Sequence, residues 1–327
     1  MKAVQIKEYG APEVLQFQEV ADLTTPATGQ ARVRLVVAGL NYVDVYHRRD
    51  GAYIESLPFP LILGQEGAGI VEAIGAGVET VKVGDRVAYC MVFGSYTEAI
   101  NVPIDRLIPL PDDITFEQGA AFPLQGITAQ YLLHDYVKLQ ADKTVLVHAA
   151  AGGVGLLVVQ WAKQLGARVI GSVSTEAKAQ MIKEAGADDV ILYTEQDFVA
   201  EIKRLTAGRG ADLVLDSVGR ATFAGSLEAA ATWGTVVSYG WSSGLPEPVL
   251  PASLIARSLK VAGGNIPNAI ATREALLRRA NDVIEGIRAG WLNLHIDSVL
   301  PLQEAAKAHQ RLESRASIGK ILLRTAS

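Results

Sequence analysis

Residues 31–37 (Ala-Arg-Val-Arg-Leu-Val-Val) and 69–73 (Gly-Ile-Val-Glu-Ala) are short, mostly apolar runs rich in β-branched residues, the pattern of strands. Gly, Pro and Asp punctuate such runs up to about residue 123, so this stretch reads as a compact, mostly antiparallel β domain. From about residue 117 the pattern changes. Residues 126–133 are helical in composition, and beyond them apolar strands alternate with amphipathic helices. The spacing predicts strands at 144–148, 168–172, 189–192 and 213–216, with helices at 153–165, 176–185 and 198–206 between them. Strand–helix–strand units of this kind build a doubly wound parallel sheet. Further strands at 234–239 and 259–263 extend it, a long helix occupies 273–289, and strands at 296–300 and 319–323 close the chain. The tail is expected to rejoin the N-terminal domain. The predicted class is therefore α/β, with domains at 1–123 plus 266–327 and at 124–265.

Composition narrows this picture. A chain of 327 residues, 49% hydrophobic and 20% charged, has apolar material for two cores. The net charge of −5 comes without a basic cluster, so no nucleic-acid partner is expected. The N-terminus runs directly into a strand pattern, and every apolar run is broken well short of the roughly 18 residues of a membrane span. A cytoplasmic location and no membrane partner are expected. One cysteine, Cys90, rules out an internal disulfide and a thiolate metal cluster. His47, His134, His148, His295 and His309 form no metal-ligand spacing.

The sharpest motif is Val145-Leu-Val-His-Ala-Ala-Ala-Gly-Gly-Val-Gly-Leu156, a buried strand entering a glycine turn and then a helix. Ala150-x-Gly152-x-x-Gly155 is a dinucleotide fingerprint with alanine in first place. Gly152 lets the backbone approach a pyrophosphate, Gly155 lets the helix pack on the strand, and the helix N-terminus offers N–H groups to the anion. Enzymes that use NAD place an acid at the end of the next strand, about 20 residues on, for the ribose 2′-hydroxyl. Here the residues are Gly-Ser-Val-Ser-Thr-Glu-Ala-Lys, 171–178. Ser174 and Lys178 suit a 2′-phosphate, and Glu176 complements a helix start. NADPH is the expected cofactor.

Gly64-Gln-Glu-Gly-Ala-Gly69, Gly75, Val78 and Gly84-Asp-Arg-Val87 resemble the signature of the medium-chain dehydrogenase/reductase superfamily. With Ala149–Gly155 and Asp216-Ser-Val-Gly219, the whole chain resembles the zinc-free NADPH:quinone oxidoreductases, the zeta-crystallin-like branch. The resemblance implies a GroES-like β-barrel domain, a Rossmann domain, and a homodimer joined through the cofactor domains. Where zinc-dependent relatives ligate their catalytic metal, this chain carries Asn41, Gln65 and Gln125, and amides are poor zinc ligands. No metal is expected, and acceptors that take hydride directly become the expected substrates.

The same resemblance implies site residues. Asn41 and Tyr46 are the polar candidates nearest the reacting ring, as donors to a developing oxyanion. Tyr42, Val43, Asp44 and Val45 line the same stretch. Cofactor contacts are implied at Thr128, Tyr131, Gly152, Gly153, Val154, Ser174, Lys178, Tyr193, Ser217, Tyr239, Gly240 and Trp241. Gly263, Gly264 and Asn265 follow, in a stretch that departs from the relatives, and Arg315 is the cationic contact from the tail. The expected activity is hydride transfer from NADPH to a small quinone in a cleft between the domains. The alternatives are reduction of an enone or haloacrylate double bond, and a non-catalytic NADPH-binding or RNA-binding role.

Overall fold

The computed structural model describes residues 1–52 and 57–325 and divides into two compact units. The first comprises Met1–Leu124, Ile270–Ile284 and Leu294–Ser327, the second Gln125–Ala269 and Glu285–Asn293. Of the C-terminal stretch expected in the first domain, residues 266–269 and 285–293 fall in the second unit.

In the first unit the eleven-residue strand Gln30–Leu40 is the spine. It pairs antiparallel with Glu66–Ile74, Ala99–Pro103 and Lys320–Arg324, and Ile296–Pro301 runs parallel beside the last. The C-terminal segment thus completes the sheet begun at the N-terminus. Ala31, Val33 and Leu35 enter one apolar core with Val71, Val87, Tyr89 and Val102. Ala38 and Leu40 enter another with Val4, Ile6, Leu63, Tyr96 and Ile321. Serving two cores, the strand is apolar from Leu35 onward and carries no β-branched residue after Val37, so the sequence pattern ends it there while the pairing continues to Leu40. A three-stranded sheet of Lys2–Ile6, Gln16–Glu19 and Leu61–Ile62 packs beside it.

The helix Tyr42–Asp50 follows directly and has no counterpart in the sequence pattern. Residues Asp44 to Arg48 are all buried, including Asp44, His47 and Arg48, so no amphipathic stripe marks it. Asn41 begins it in extended geometry, its backbone N–H donating to Asp44 Oδ2 at 2.8 Å, and Gly51 ends it at φ +74°.

The second unit is built on six parallel strands: Thr144–Val147, Arg168–Val173, Asp189–Leu192, Ala211–Asp216, Ala230–Ser238 and Lys260–Gly263. Counted in chain order, they lie 3-2-1-4-5-6 across the sheet, the doubly wound order. Helices Gly153–Gln164, Glu176–Glu184 and Phe198–Leu205 connect the first four strands. With helices covering both faces, Val145, Leu146 and Val147 are fully buried, which explains their unbroken apolar run. The helix Phe223–Ala229 and the first four residues of the strand after it carry no signal in the sequence pattern.

Candidate active site

The fingerprint turn folds as its residues demand. After the strand Thr144–Val147, Ala149 adopts φ +49° and its carbonyl accepts from Gly152 N at 2.8 Å, closing the turn. Gly152 is the N-cap of Gly153–Gln164, and the first intrahelical bond runs from Leu156 N to Gly152 O at 2.9 Å. The amides of Gly153, Val154 and Gly155 thus precede the hydrogen-bonded ladder, the arrangement that receives an anion. A Cβ on Gly155 would overlap the Ala149 carbonyl oxygen and sit 2.8 Å from Ala150 Cα, so only glycine lets the helix approach this closely. Gly153 has the Gln125 amide packed on it, so a side chain there would displace Gln125. Gln125, where the resemblance implies a metal ligand in zinc-dependent relatives, therefore packs against the fingerprint turn.

Most of the other cofactor candidates of this unit lie at or just beyond the C-terminal ends of the parallel strands, the usual ligand edge of an open α/β sheet. Ser174 and Lys178 follow Arg168–Val173; Thr175 caps the next helix, accepting from Lys178 N at 3.3 Å. Tyr193, exposed, follows Asp189–Leu192, and Thr194 Oγ1 donates to the Ser174 carbonyl at 3.1 Å, tying these two loops together. Ser217 follows Ala211–Asp216. Tyr239, Gly240 and Trp241 follow Ala230–Ser238, with Tyr239 hydrogen-bonded to the Ser217 side chain and Gly240 lying against Ser217. Burial pushes the Tyr239 hydroxyl up to about 12. A Cβ on Gly264 would lie 2.9 Å from Tyr239 Cβ and 3.2 Å from Tyr131 Oη, so these three meet at one point. Thr128 and Tyr131 are buried on the helix Pro123–His134, whereas Gly263 and Asn265 are exposed.

In the first unit, Asn41 is held by an ion pair that the sequence did not signal. Lys320 Nζ donates to Asn41 Oδ1 at 2.8 Å and to Glu66 Oε1, and Asn41 Nδ2 donates to Glu66 Oε1 at 2.6 Å. The ammonium and the carboxylate together fix which way the amide faces. Leu124 N completes the cage on Glu66 Oε2 at 2.7 Å. Both charges are buried, at 3% and 0% side-chain exposure, where an ion pair needs such supplementary bonds. Tyr46 is buried, its ring edge-on to that of half-buried Tyr42 at 5.3 Å. Val43 is half-buried; Asp44 and Val45 are fully buried. Arg315 is exposed at φ +59°, just past the helix Ala305–Glu313.

Asp44 sits at the centre of a buried polar cluster. Its Oδ2 accepts from Asn41 N and from Tyr96 Oη at 3.2 Å, while Oδ1 has no hydrogen-bond partner among the described residues and lies 4.0 Å from His47 Nδ1. Tyr96 Oη contacts His309 Nε2 at 3.1 Å, and Arg48, paired with Glu313 at 2.6 Å, reaches His309 Nδ1 at 3.4 Å. Burial pushes the Asp44 carboxyl up to about 7, opposed mainly by the Asn41 N–H and by Lys320. Burial lowers His47 to about 4 and His309 to about 3, the latter helped by Arg48, so both imidazoles are neutral near pH 7.

Residues 27–112 match the family described as alcohol dehydrogenase GroES-like domain, and residues 153–282 match the family described as zinc-binding dehydrogenase. Over 324 residues, 98% of each chain, the protein is 40% identical to quinone oxidoreductase 1 of Escherichia coli. The chain belongs to the quinone oxidoreductase family of the medium-chain dehydrogenase/reductases. It combines the GroES-like and Rossmann-like domains of that family. A crystal structure of the Escherichia coli quinone oxidoreductase complexed with NADPH superposes with a TM-score of 0.95 at 39% identity, covering 99% of this chain and 100% of that one. A 2-haloacrylate reductase from Burkholderia is 35% identical over 98% of each chain. The Asn41 amide is engaged by Lys320 and Glu66.

Proposed function

We propose that this protein is an NADPH-dependent quinone oxidoreductase that reduces a small quinone without zinc. The observation that carries this reading is the fingerprint turn followed, at the end of the second parallel strand, by Ser174 where an NAD enzyme would place an acid. Full-length similarity to a quinone oxidoreductase whose structure contains NADPH supports the same cofactor. The residues present fit it: a helix N-terminus with glycines for the pyrophosphate, Ser174 and Lys178 for the 2′-phosphate, and Tyr193 for the adenine. Thr128, Tyr131, Ser217, Tyr239, Gly240, Trp241, Gly263, Gly264 and Asn265 are proposed to hold the rest of the cofactor, together with the stretch 42–46 and Arg315.

When bound, NADPH supplies the hydride. The chain's own residues orient the reactants, keep water out and hold a proton. Asn41 and Tyr46 are proposed to donate hydrogen bonds to the acceptor oxygen as negative charge develops on it. Lys320 and Glu66 serve this by locking the Asn41 amide.

The relative named 2-haloacrylate reductase supports a second reading, reduction of an activated carbon–carbon double bond. The reaction products with a quinone and with an enone separate the two. Tyr46→Phe tests the donor role: turnover falls about tenfold or more while NADPH binding is retained, and an unchanged turnover refutes it. We further propose a homodimer joined at the outer edge of the parallel sheet. There Lys260–Gly263 has a partner strand on one side, and Val261, Trp233, Leu250 and Ile255 are exposed nearby. No helix among the described residues is long and apolar enough to cross a membrane, and a cytoplasmic location is proposed.

A further inference from the structure

Beneath the fingerprint turn lies a buried network that the proposed chemistry does not use directly. His148, the residue after the first parallel strand, is 1% exposed, and its ring is edge-on to Phe198 at 4.8 Å. Nδ1 lies 2.9 Å from Ser172 Oγ and Nε2 lies 3.1 Å from Ser226 Oγ. Ser226 Oγ in turn donates to Asp216 Oδ2 at 2.7 Å. Ser172 and Ser226 are buried and Asp216 is wholly so.

The direction of each bond follows from the carboxylate, which only accepts. Ser226 spends its single proton on Asp216, so its oxygen accepts from His148, and Nε2 carries the ring proton. Nδ1 then accepts from the Ser172 hydroxyl. Burial holds the imidazole below its usual range, which keeps it neutral and compatible with this order. The result is one directional chain: Ser172 to His148 to Ser226 to Asp216.

Each end of the chain carries a cofactor loop. Ser172 O accepts from Ala150 N at 3.2 Å in the fingerprint turn, and Ser174 and Lys178 lie just beyond. Asp216 Oδ1 accepts from Val218 N and Gly219 N, both at 2.9 Å, and Thr222 Oγ1 reaches both its oxygens. These bonds shape the loop that presents Ser217. Asp216 O accepts from Tyr239 N at 3.0 Å, bringing in the fifth strand.

We propose that His148 is a positioning residue for NADPH: by joining Ser172 to Ser226 and Asp216 it locks the ends of the first, second and fourth parallel strands in the arrangement that binds the cofactor. It touches neither hydride donor nor acceptor, so its loss weakens NADPH binding and leaves the chemical step intact. This rests on the NADPH reading above.

The experiment measures NADPH affinity by fluorescence titration and steady-state KM and kcat with a quinone, for wild type, His148→Phe, His148→Gln and Ser226→Ala. Phenylalanine keeps the ring contact with Phe198 and removes both hydrogen bonds. Glutamine restores an N–H toward Ser226. The expected result is a tenfold or greater rise in Kd and KM for NADPH in His148→Phe, with kcat at saturating NADPH and KM for quinone within twofold of wild type. His148→Gln recovers most of the loss. Ser226→Ala, a smaller change that preserves folding if His148→Phe does not, raises KM for NADPH in the same way. Unchanged NADPH affinity in folded His148→Phe or Ser226→Ala overturns the proposal, as does equal loss in the Phe and Gln variants. Failure of the wild type itself to bind NADPH overturns the cofactor reading instead.

Discussion

Replacing Asp44 with asparagine removes a titrating carboxyl from the interior of the first unit while keeping its shape. The amide oxygen can still accept from Asn41 N and Tyr96 Oη, and its N–H₂ faces the His47 nitrogen that now lies 4.0 Å from Oδ1. Burial raises the folded-state value of Asp44 from 3.8 to about 7. Each unit corresponds to about 1.4 kcal/mol, so the shift represents about 4 kcal/mol. Between pH 3.8 and 7 the folded protein holds a proton that the unfolded chain has released. Stability from this group is therefore full below pH 3.8, falls as pH rises, and is lost above 7. His47 and His309 act in the opposite sense. Their folded values of about 4 and 3 lie below the ordinary 6.5, so stability is lost as pH falls below 6.5. In the wild type Asp44 offsets one of these two losses. Urea unfolding of both proteins, followed by circular dichroism from pH 4 to 8, isolates its contribution. The stability of wild type minus that of Asp44→Asn falls by about 1.4 kcal/mol per pH unit between 4 and 7 and then levels off, leaving the variant the more stable at pH 8. A difference independent of pH would refute the assignment.

Lys320→Met strands Glu66 in the interior with only Asn41 Nδ2 and Leu124 N beside it, and is expected to cost roughly 3–5 kcal/mol in urea unfolding. Lys320→Met combined with Glu66→Gln recovers much of that loss, because no uncompensated charge remains; no recovery would contradict the account. Gly155→Ala drives a methyl into the Ala149 carbonyl, with an expected stability loss of about 1–3 kcal/mol and weakened NADPH binding; wild-type affinity in this variant would contradict the close helix approach.

The second unit was the more legible in the sequence, for a physical reason. Strands buried on both faces write continuous apolar runs such as Val145-Leu-Val147, and amphipathic helices between them write a second period, so every strand of the parallel sheet was anticipated within a few residues. The fingerprint marked a glycine turn because a Cβ at Gly155 would overlap the Ala149 carbonyl oxygen. The helix Tyr42–Asp50 was invisible because its buried residues include Asp44, His47 and Arg48, whose partners Tyr96, Gln65 and His309 are distant in sequence. The same holds for the Asn41–Glu66–Lys320 cage, whose members are separated by as many as 279 residues. Asp216 stood in view within Asp-Ser-Val-Gly, but its tie to His148 and Ser172 depends on strand order in the sheet, which spacing along the chain does not encode.

Purified protein mixed with NADPH and a small panel of quinones, with cofactor loss followed by absorbance and with NADH and a chelator as controls, tests the central claim most directly. The account predicts rapid oxidation of NADPH by quinone, slower oxidation of NADH, and no effect of the chelator. Bound NADPH that no quinone oxidises, or a rate abolished by the chelator, would contradict it.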